Sequence, residues 1–147
     1  MSKKRMPTMV SVMTPFPHFI APNASLEEAK RLMDEYAIHH LPVVDDSDIV
    51  GLISHRDLLR AVSLGERLSN QTDIVVSDLV NHRPYMVDVG DPLVPVLQAM
   101  IDNKLGSVIV LKDGEMVGIF TSTDAMRHFA GFLEEAFPAN PDGDDAA

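Results

Sequence analysis

Apolar and polar positions alternate along this chain in a way that separates helices from strands. Ser25 begins a helix, because its hydroxyl and the Glu28 carboxylate can form a capping box before an apolar stripe at helical spacing. The stripe consists of Leu26, Ala29, Leu32, Met33 and Tyr36. A short turn of helix is predicted over residues 10–13, and a short strand over residues 18–21.

Two further strands and a helix are predicted before residue 65. Residues 41–44 and 49–53 are short apolar runs separated by a polar turn, and the second run is apolar enough to predict burial on both faces. Ser54 caps the next helix, predicted from about His55 to Leu64 with Leu58, Leu59 and Val62 directed inward.

The same order of elements then occurs a second time. Gly51–Asp57 (Gly-Leu-Ile-Ser-His-Arg-Asp) and Gly118–Asp124 (Gly-Ile-Phe-Thr-Ser-Thr-Asp) lie 67 residues apart. The offset also aligns the apolar positions of the preceding helices and strands without a gap, which indicates an internal duplication. The last helix is longer, from about Thr123 to Phe137, with a stripe whose members are Met126, Phe129, Ala130 and Leu133. We predict this stripe to be core or dimer contact.

Each repeat therefore reads strand, helix, strand, strand, helix. The expected divisions are an N-terminal arm at 1–9, a first repeat at 10–68, a linker at 69–74, a second repeat at 75–137 and a disordered acidic tail at 138–147. A single repeat of this length would have a marginal core. We therefore expect an α/β (α+β) fold in which two tandem βαββα repeats pack about a pseudo-twofold axis.

Composition narrows the functional classes. The net charge of −10 over 147 residues argues against nonspecific nucleic-acid binding, which requires a basic surface. The chain has no cysteine, so thiol catalysis, zinc thiolate sites and disulfides are excluded. No apolar run reaches the length of a membrane span, and prolines interrupt any signal peptide after the basic start. These features predict a cytoplasmic protein without a membrane or nucleic-acid partner.

Leu41-Pro42-Val43-Val44-Asp45, followed by the Gly51–Asp57 stretch, resembles the CBS domain, and the tandem arrangement resembles a CBS pair. The resemblance covers nearly everything from about Val10 to Leu133. It implies two clefts near the pseudo-twofold axis that bind adenine nucleosides or nucleotides such as AMP, ADP, ATP or S-adenosylmethionine. It also implies that such modules pair into homodimers and regulate a target protein, here unidentified.

The resemblance implies two sets of site residues, each drawn from both repeats. Asp124 and Asp57 would hold ribose hydroxyls, and Thr121 and Ser54 would reach phosphate. The first cleft would add Ile119, Thr14, His18, Ile38 and His39. The second would add Leu52, Asn81, Tyr85, Leu105 and Gly106. His39, His40 and Arg56 stand where basic residues meet phosphates in the family; the second repeat has Gly106, Ser107 and Thr123 instead, which puts equal occupancy of the clefts in doubt.

The residues themselves support this chemistry but leave alternatives open. A carboxylate can accept hydrogen bonds from two vicinal hydroxyls, and phosphate suits a helix N-terminus with a nearby hydroxyl. The same Ser/Thr-x-x-Asp spacing is also a capping motif. Adjacent His39 and His40 point in opposite directions on a strand, so we expect no metal site. No nucleophile–base–orienter set is recognisable, and we expect no enzyme.

Two functional hypotheses follow from the sequence. The first is a regulatory module that senses an adenine nucleotide, with no further cofactor. The alternative is a structural or interaction protein with vestigial clefts, which acts through dimerisation or by docking on a partner.

Overall fold

The computed structural model describes residues 5–67, 74–80 and 83–139. The fold is mixed α/β, as predicted, and its elements alternate along the chain. The first part contains α1 (Met9–Val12), β1 (Thr14–Pro15), α2 (Leu26–Tyr36), β2 (His40–Asp45), β3 (Asp48–Ser54) and α3 (His55–Arg67). The second contains a 3₁₀ helix (Val76–Leu79), β4 (Met86–Asp88), α4 (Leu93–Asp102), β5 (Ser107–Lys112), β6 (Glu115–Thr121) and α5 (Ser122–Ala136).

The 67-residue duplication recurs in the strand register. Each repeat has an antiparallel hairpin with an irregularity at the equivalent position. The corresponding pairs are His40–Ser54 and Ser107–Thr121 in the hairpins, and Ile20–Val43 and Val87–Val110 in the parallel contacts. The two repeats therefore have the same local fold.

The start of the first repeat crosses into the second. β1 pairs antiparallel with β6, so the second repeat's sheet has the order β1-β6-β5-β4. Met9 and Val12 of α1 join the core of the second repeat, together with Phe120 and Met100. Val76 of the 3₁₀ helix joins the other core, which belongs otherwise to the first repeat. Each core therefore includes apolar side chains from both repeats, and neither repeat completes its core alone.

Several predictions about local structure need correction. The strand expected over residues 18–21 is a single bridge at Ile20, because the flanking Pro17 and Pro22 have no amide hydrogen for a longer ladder. The strand expected to be buried on both faces leaves Val50 exposed, because Val50 falls at the irregularity of the β2–β3 register, where it has no partner residue. Of the capping box predicted for α2, only the bond from the Glu28 N–H to the Ser25 hydroxyl, at 3.1 Å, forms among the described residues.

The inward face of α3 also differs from the expectation. Leu58 and Ala61 are buried, whereas Leu59 and Val62 are exposed. Positions 58 and 61 lie on one face of the helix, and that face packs on the core of the first repeat. In α5, Met126, Phe129 and Leu133 of the predicted stripe are exposed rather than buried in the chain's own core.

Three expectations fall partly outside the described residues: the N-terminal arm at 1–9 is described only from position 5, the linker at 69–74 only at position 74, and the acidic tail only at 138 and 139. Among the described helices, none combines the length and apolar character needed to cross a membrane.

Candidate functional site

A cleft of about 340 Å³ opens where the start of the chain crosses β6 and the first turns of α5. We call it the Asp124 cleft. Residues 14–18 and 37–40 of the first repeat form one wall, and the second repeat forms the other. The lining residues are Thr14, Pro15, Phe16, Pro17, His18, Ala37, Ile38, His39, His40, Ile119, Thr121, Thr123, Asp124 and Arg127. The cleft therefore depends on both repeats.

The Asp124 carboxylate is the most heavily bonded group in this cleft, and the residue is only 4% exposed. Its Oδ2 accepts hydrogen bonds from the Thr121 N–H and hydroxyl, both at 3.0 Å. Its Oδ1 accepts from the Thr14 hydroxyl at 3.2 Å and from the Arg127 guanidinium at 3.3 Å. A carboxylate has about four lone-pair positions, so these four donors occupy its accepting capacity.

Strand pairing explains how Thr14 reaches a carboxylate 110 residues further along the chain. Thr14 lies opposite Ile119 in the β1–β6 pair, and Pro15 lies opposite Gly118. Because β6 leads directly into α5, the residue opposite Ile119 is held next to the first turn of that helix. The Thr121 hydroxyl also accepts the Asp124 N–H at 3.1 Å, so the capping motif is formed as well.

Two rings that line the Asp124 cleft have unusual settings, Phe16 and His18. The His18 ring stacks on the Tyr36 ring, with centroids 3.6 Å apart and planes inclined by 13°. Phe16 is 85% exposed, and its φ of 46° lies in the left-handed region. That backbone conformation costs a non-glycine residue about 1–2 kcal/mol. The backbone at Phe16 is therefore strained, and the exposed Phe16 ring lies beside the cleft.

A second cleft, of about 780 Å³, lies at the start of α3. We call it the Asp57 cleft. Its lining residues are His39, His40, Ser54, His55, Arg56, Asp57, Leu59, Arg60, Lys104, Leu105 and Gly106. Three of these are permanently cationic, three are histidines, and only Asp57 is acidic. The rings of His39 and His55 lie 5.2 Å apart, yet no cluster of three or more metal-binding side chains occurs among the described residues.

The Asp57 carboxylate has fewer partners than its counterpart. Its Oδ2 accepts the Ser54 N–H at 2.9 Å, and the Asp57 N–H donates to the Ser54 hydroxyl at 3.2 Å. Within the described parts of the chain, Ser54 N–H is the one hydrogen-bond donor to this carboxylate. Asp57 therefore keeps accepting capacity that Asp124 has already used.

His40 lies between the two clefts and lines both. Burial lowers the pKa of its imidazole, the neighbouring His39 lowers it further, and Asp57 opposes the change. A methyl group at Gly106 would lie 3.0 Å from the His40 Nε2 atom, so the glycine makes room for this ring. His40, packed against a glycine of the other repeat, therefore forms part of the wall between the clefts, together with His39.

The structure brings together most of the residues that the sequence analysis selected. All seven residues expected in the Asp124 cleft, Asp124 itself included, line that cleft. Ser54, Asp57, Arg56, Leu105 and Gly106 line the other, and His39 and His40 line both. Leu52 and Tyr85 are not among its lining residues. Asn81, the counterpart of Thr14, lies outside the described residues.

The sequence analysis did not select several charged or aromatic lining residues. Arg60 and Arg127 lie three residues after the two motif aspartates, and this helical spacing could have placed them on the same face. Lys104 precedes the predicted Leu105, so its position in the chain was also a usable signal. Phe16 had no such signal, because a left-handed backbone at a phenylalanine does not follow from its residue type.

Comparison with known proteins identifies the family. The CBS domain profile matches residues 10–64 and 76–131. The crystal structure of CBSX2 in complex with AMP is 29% identical, covers 85% of this chain and 97% of that chain, and has a TM-score of 0.70; CBSX2 is a CBS-pair protein from Arabidopsis thaliana. The CBS domain pair of protein MJ0100, in complex with 5′-methylthioadenosine and S-adenosyl-L-methionine, is 25% identical, with coverages of 87% and 99% and a TM-score of 0.74.

Longer relatives include enzymes. Inosine-5′-monophosphate dehydrogenase from Korarchaeum cryptofilum is 30% identical over 122 residues, which are 81% of this chain and 22% of the enzyme. The first three curated relatives are likewise longer, since the chain spans 38%, 20% and 57% of their lengths. The similarity to these proteins is therefore confined to a region with two matched repeats, and the chain belongs to the CBS domain family.

Proposed function

We propose that this chain is a regulatory module that binds adenine nucleosides or nucleotides in its two clefts. The proposal draws on the AMP complex of CBSX2 and on the adenosyl ligands of the MJ0100 pair. The match to only about a fifth of inosine-5′-monophosphate dehydrogenase favours a regulatory rather than a catalytic role.

The observation that carries the proposal is a buried, fully oriented carboxylate beside an apolar wall. Asp124 is held by four donors, and Ile38 and Ile119 line the same cleft. In the proposed complex, adenine lies between the apolar side chains and the ribose hydroxyls donate to Asp124. The Thr14 hydroxyl would give up its place at Oδ1 to a ribose hydroxyl, so the exchange leaves the carboxylate satisfied and Arg127 still paired with it.

Binding at this position has a direct route to regulation. The two walls of the Asp124 cleft come from different repeats, so a ligand that contacts both favours one relative placement of the repeats. A ligand shifts a conformational equilibrium only by its difference in affinity for the two states. The proposed module therefore reports ligand concentration through the geometry between its repeats, which a target protein would read.

Calorimetric titration with AMP, ADP, ATP, S-adenosylmethionine and GTP tests the proposal. We expect adenine ligands to bind and GTP not to bind. The Asp57→Ala/Asp124→Ala double variant should lose binding. Asp91→Ala is the matched control, because Asp91 also accepts an N–H three residues earlier, from Asp88 at 2.9 Å, but lines neither cleft. Binding by the double variant with unchanged affinity would overturn the assignment of the site.

A second candidate function is association without a ligand, and the apolar surface of two helices favours it. Met126 and Phe129 of α5 are 63% and 61% exposed, and Leu59 of α3 is 51% exposed. These helices occupy equivalent positions in the two repeats, and their exposed apolar side chains could be buried in an isologous contact with a second copy. Sedimentation should then detect a dimer that Phe129→Lys weakens; a monomer at all concentrations would refute this candidate.

A further inference from the structure

The two clefts differ sharply in charge. The Asp57 cleft is lined by Arg56, Arg60 and Lys104, with one carboxylate to oppose them. The Asp124 cleft is lined by one permanent cation, Arg127, and one carboxylate. The Arg127 guanidinium lies 3.3 Å from Asp124 Oδ1, so its charge is already paired. One cleft is thus cationic and the other close to neutral.

The three cations of the Asp57 cleft have no acidic partner in the described parts of the chain. The ion pairs found there join Lys30 to Asp34, Arg31 to Glu35 and Arg127 to Asp124. The chain as a whole carries a net charge of −10, so three unpaired cations around one cleft have the opposite sign to the charge of the whole chain. A multiply charged anion would compensate them at close range.

The cations of the Asp57 cleft come from both repeats. Three histidines line each cleft, so the histidines do not distinguish the two, and the contrast lies in Arg56, Arg60 and Lys104. Arg56 follows directly on the Ser54–His55 junction that begins α3, and Arg60 lies one turn further on. Lys104 approaches from the other repeat, after α4. Hydrogen-bond donors from both repeats therefore surround the cleft, and this arrangement suits a chain of phosphates better than a single phosphate.

The walls of the Asp124 cleft suit a different ligand. Pro15, Phe16, Ile38 and Ile119 supply apolar surface, and the cleft is lined by no permanent cation that lacks a carboxylate partner. A phosphate chain placed there would lose water without gaining an equivalent donor set. An adenosyl group with little or no net charge avoids this cost.

We infer that the Asp57 cleft is a site for nucleoside di- or triphosphates, whereas the Asp124 cleft takes adenosyl ligands of low charge. This inference rests on the proposed function and divides its ligand class between the two clefts. The regulatory consequence is that the module responds to two chemically distinct adenine ligands rather than to two copies of one.

The test compares ATP, AMP and adenosine by calorimetric titration in magnesium-free buffer. Arg56→Gln/Arg60→Gln/Lys104→Gln removes the three cations. We expect this variant to bind ATP about tenfold or more weakly, AMP less affected, and adenosine unchanged. Affinity for ATP should also fall with added salt more steeply in the wild-type protein than in the variant. Equal losses for all three ligands, or no loss for ATP, would overturn the inference.

A charge-matched control separates the cleft from general electrostatics. Lys30→Gln/Arg31→Gln/Lys112→Gln changes the net charge by the same amount at exposed positions outside both clefts. This control should retain wild-type affinity for ATP, and an equal loss of affinity would contradict a local site. Thermal unfolding of both triple variants checks that each is folded before its affinity is compared.

Inorganic tripolyphosphate distinguishes failure of the inference from failure of the proposed function. It should displace ATP from the wild-type protein and leave adenosine bound. If neither ATP nor adenosine binds, the proposed function fails. If both bind but tripolyphosphate displaces neither and the cationic variant behaves as wild type, only the division between the clefts is wrong.

Discussion

Gly51 provides a sharp test of how the two repeats pack together. Its position on β3 faces Val80, just after the 3₁₀ helix of the other repeat. A methyl group at Gly51 would lie 2.5 and 2.6 Å from the two γ-carbons of Val80 and 3.1 Å from its Cβ. Unstrained carbon contacts lie at about 3.5–4.0 Å, so Gly51→Ala forces an overlap of roughly 1 Å.

The overlap is difficult to relieve. Val80 is β-branched and stiff about χ1, and Gly51 is outside the left-handed region, so backbone strain does not contribute. Forced overpacking of this kind costs about 1–3 kcal/mol. For a chain of this size, each kcal/mol corresponds to roughly 2–4 °C in Tm. Urea unfolding followed by circular dichroism measures the free energy directly.

A double-mutant cycle identifies the cause. In a Val80→Ala background the γ-carbons are absent, so Gly51→Ala should cost clearly less than in the wild type. Gly131→Ala is the control, because a Cβ there meets nothing within 4 Å and alanine favours the helix by about 1 kcal/mol. The packing argument would be refuted if Gly51→Ala caused only a small loss of stability. It would also be refuted if the loss were the same with and without Val80→Ala.

Three other predictions concern the clefts. Phe16→Gly should raise the free energy of unfolding by up to about 1 kcal/mol, since glycine adopts positive φ without strain; a loss of stability in urea unfolding would show that the ring's contacts outweigh the strain. Asp124→Ala should lower the free energy of unfolding by about 2–3 kcal/mol and Asp57→Ala by about 1 kcal/mol, because the Asp124 carboxylate accepts more hydrogen bonds. Equal losses of stability in urea unfolding would contradict this. The folded-state pKa of His40 is lowered, so as the pH falls the unfolded chain takes up the imidazole proton at a higher pH than the folded chain does. Wild-type stability should then fall, relative to His40→Asn, as pH drops below about 6.5 towards the folded-state pKa; parallel pH profiles for the two proteins would contradict the prediction.

Local patterns were sufficient to predict the repeats and the Thr121–Asp124 motif of the Asp124 cleft. The 67-residue offset aligned Ser54 with Thr121 and Asp57 with Asp124, and in the structure both pairs form the same hydrogen bonds between a hydroxyl residue and an aspartate three positions later. Such bonds depend on residues close in sequence, so the amino-acid order is enough to predict them. The assignment of Thr14 to the Asp124 cleft came from family resemblance rather than from any local pattern.

Only the tertiary structure decided which apolar faces are covered. Periodicity identified an apolar face on α3 and α5, yet Leu59 and Phe129 are exposed, because burial depends on what packs against a face from distant parts of the chain. The contrast in charge between the clefts has the same origin. Lys104 of one repeat and Arg56 of the other line one cleft, since the β1–β6 pairing and the shared cores fix how the repeats meet. The sequence alone determined the two repeats and their chemical motifs, whereas long-range packing determined which side chains surround each motif.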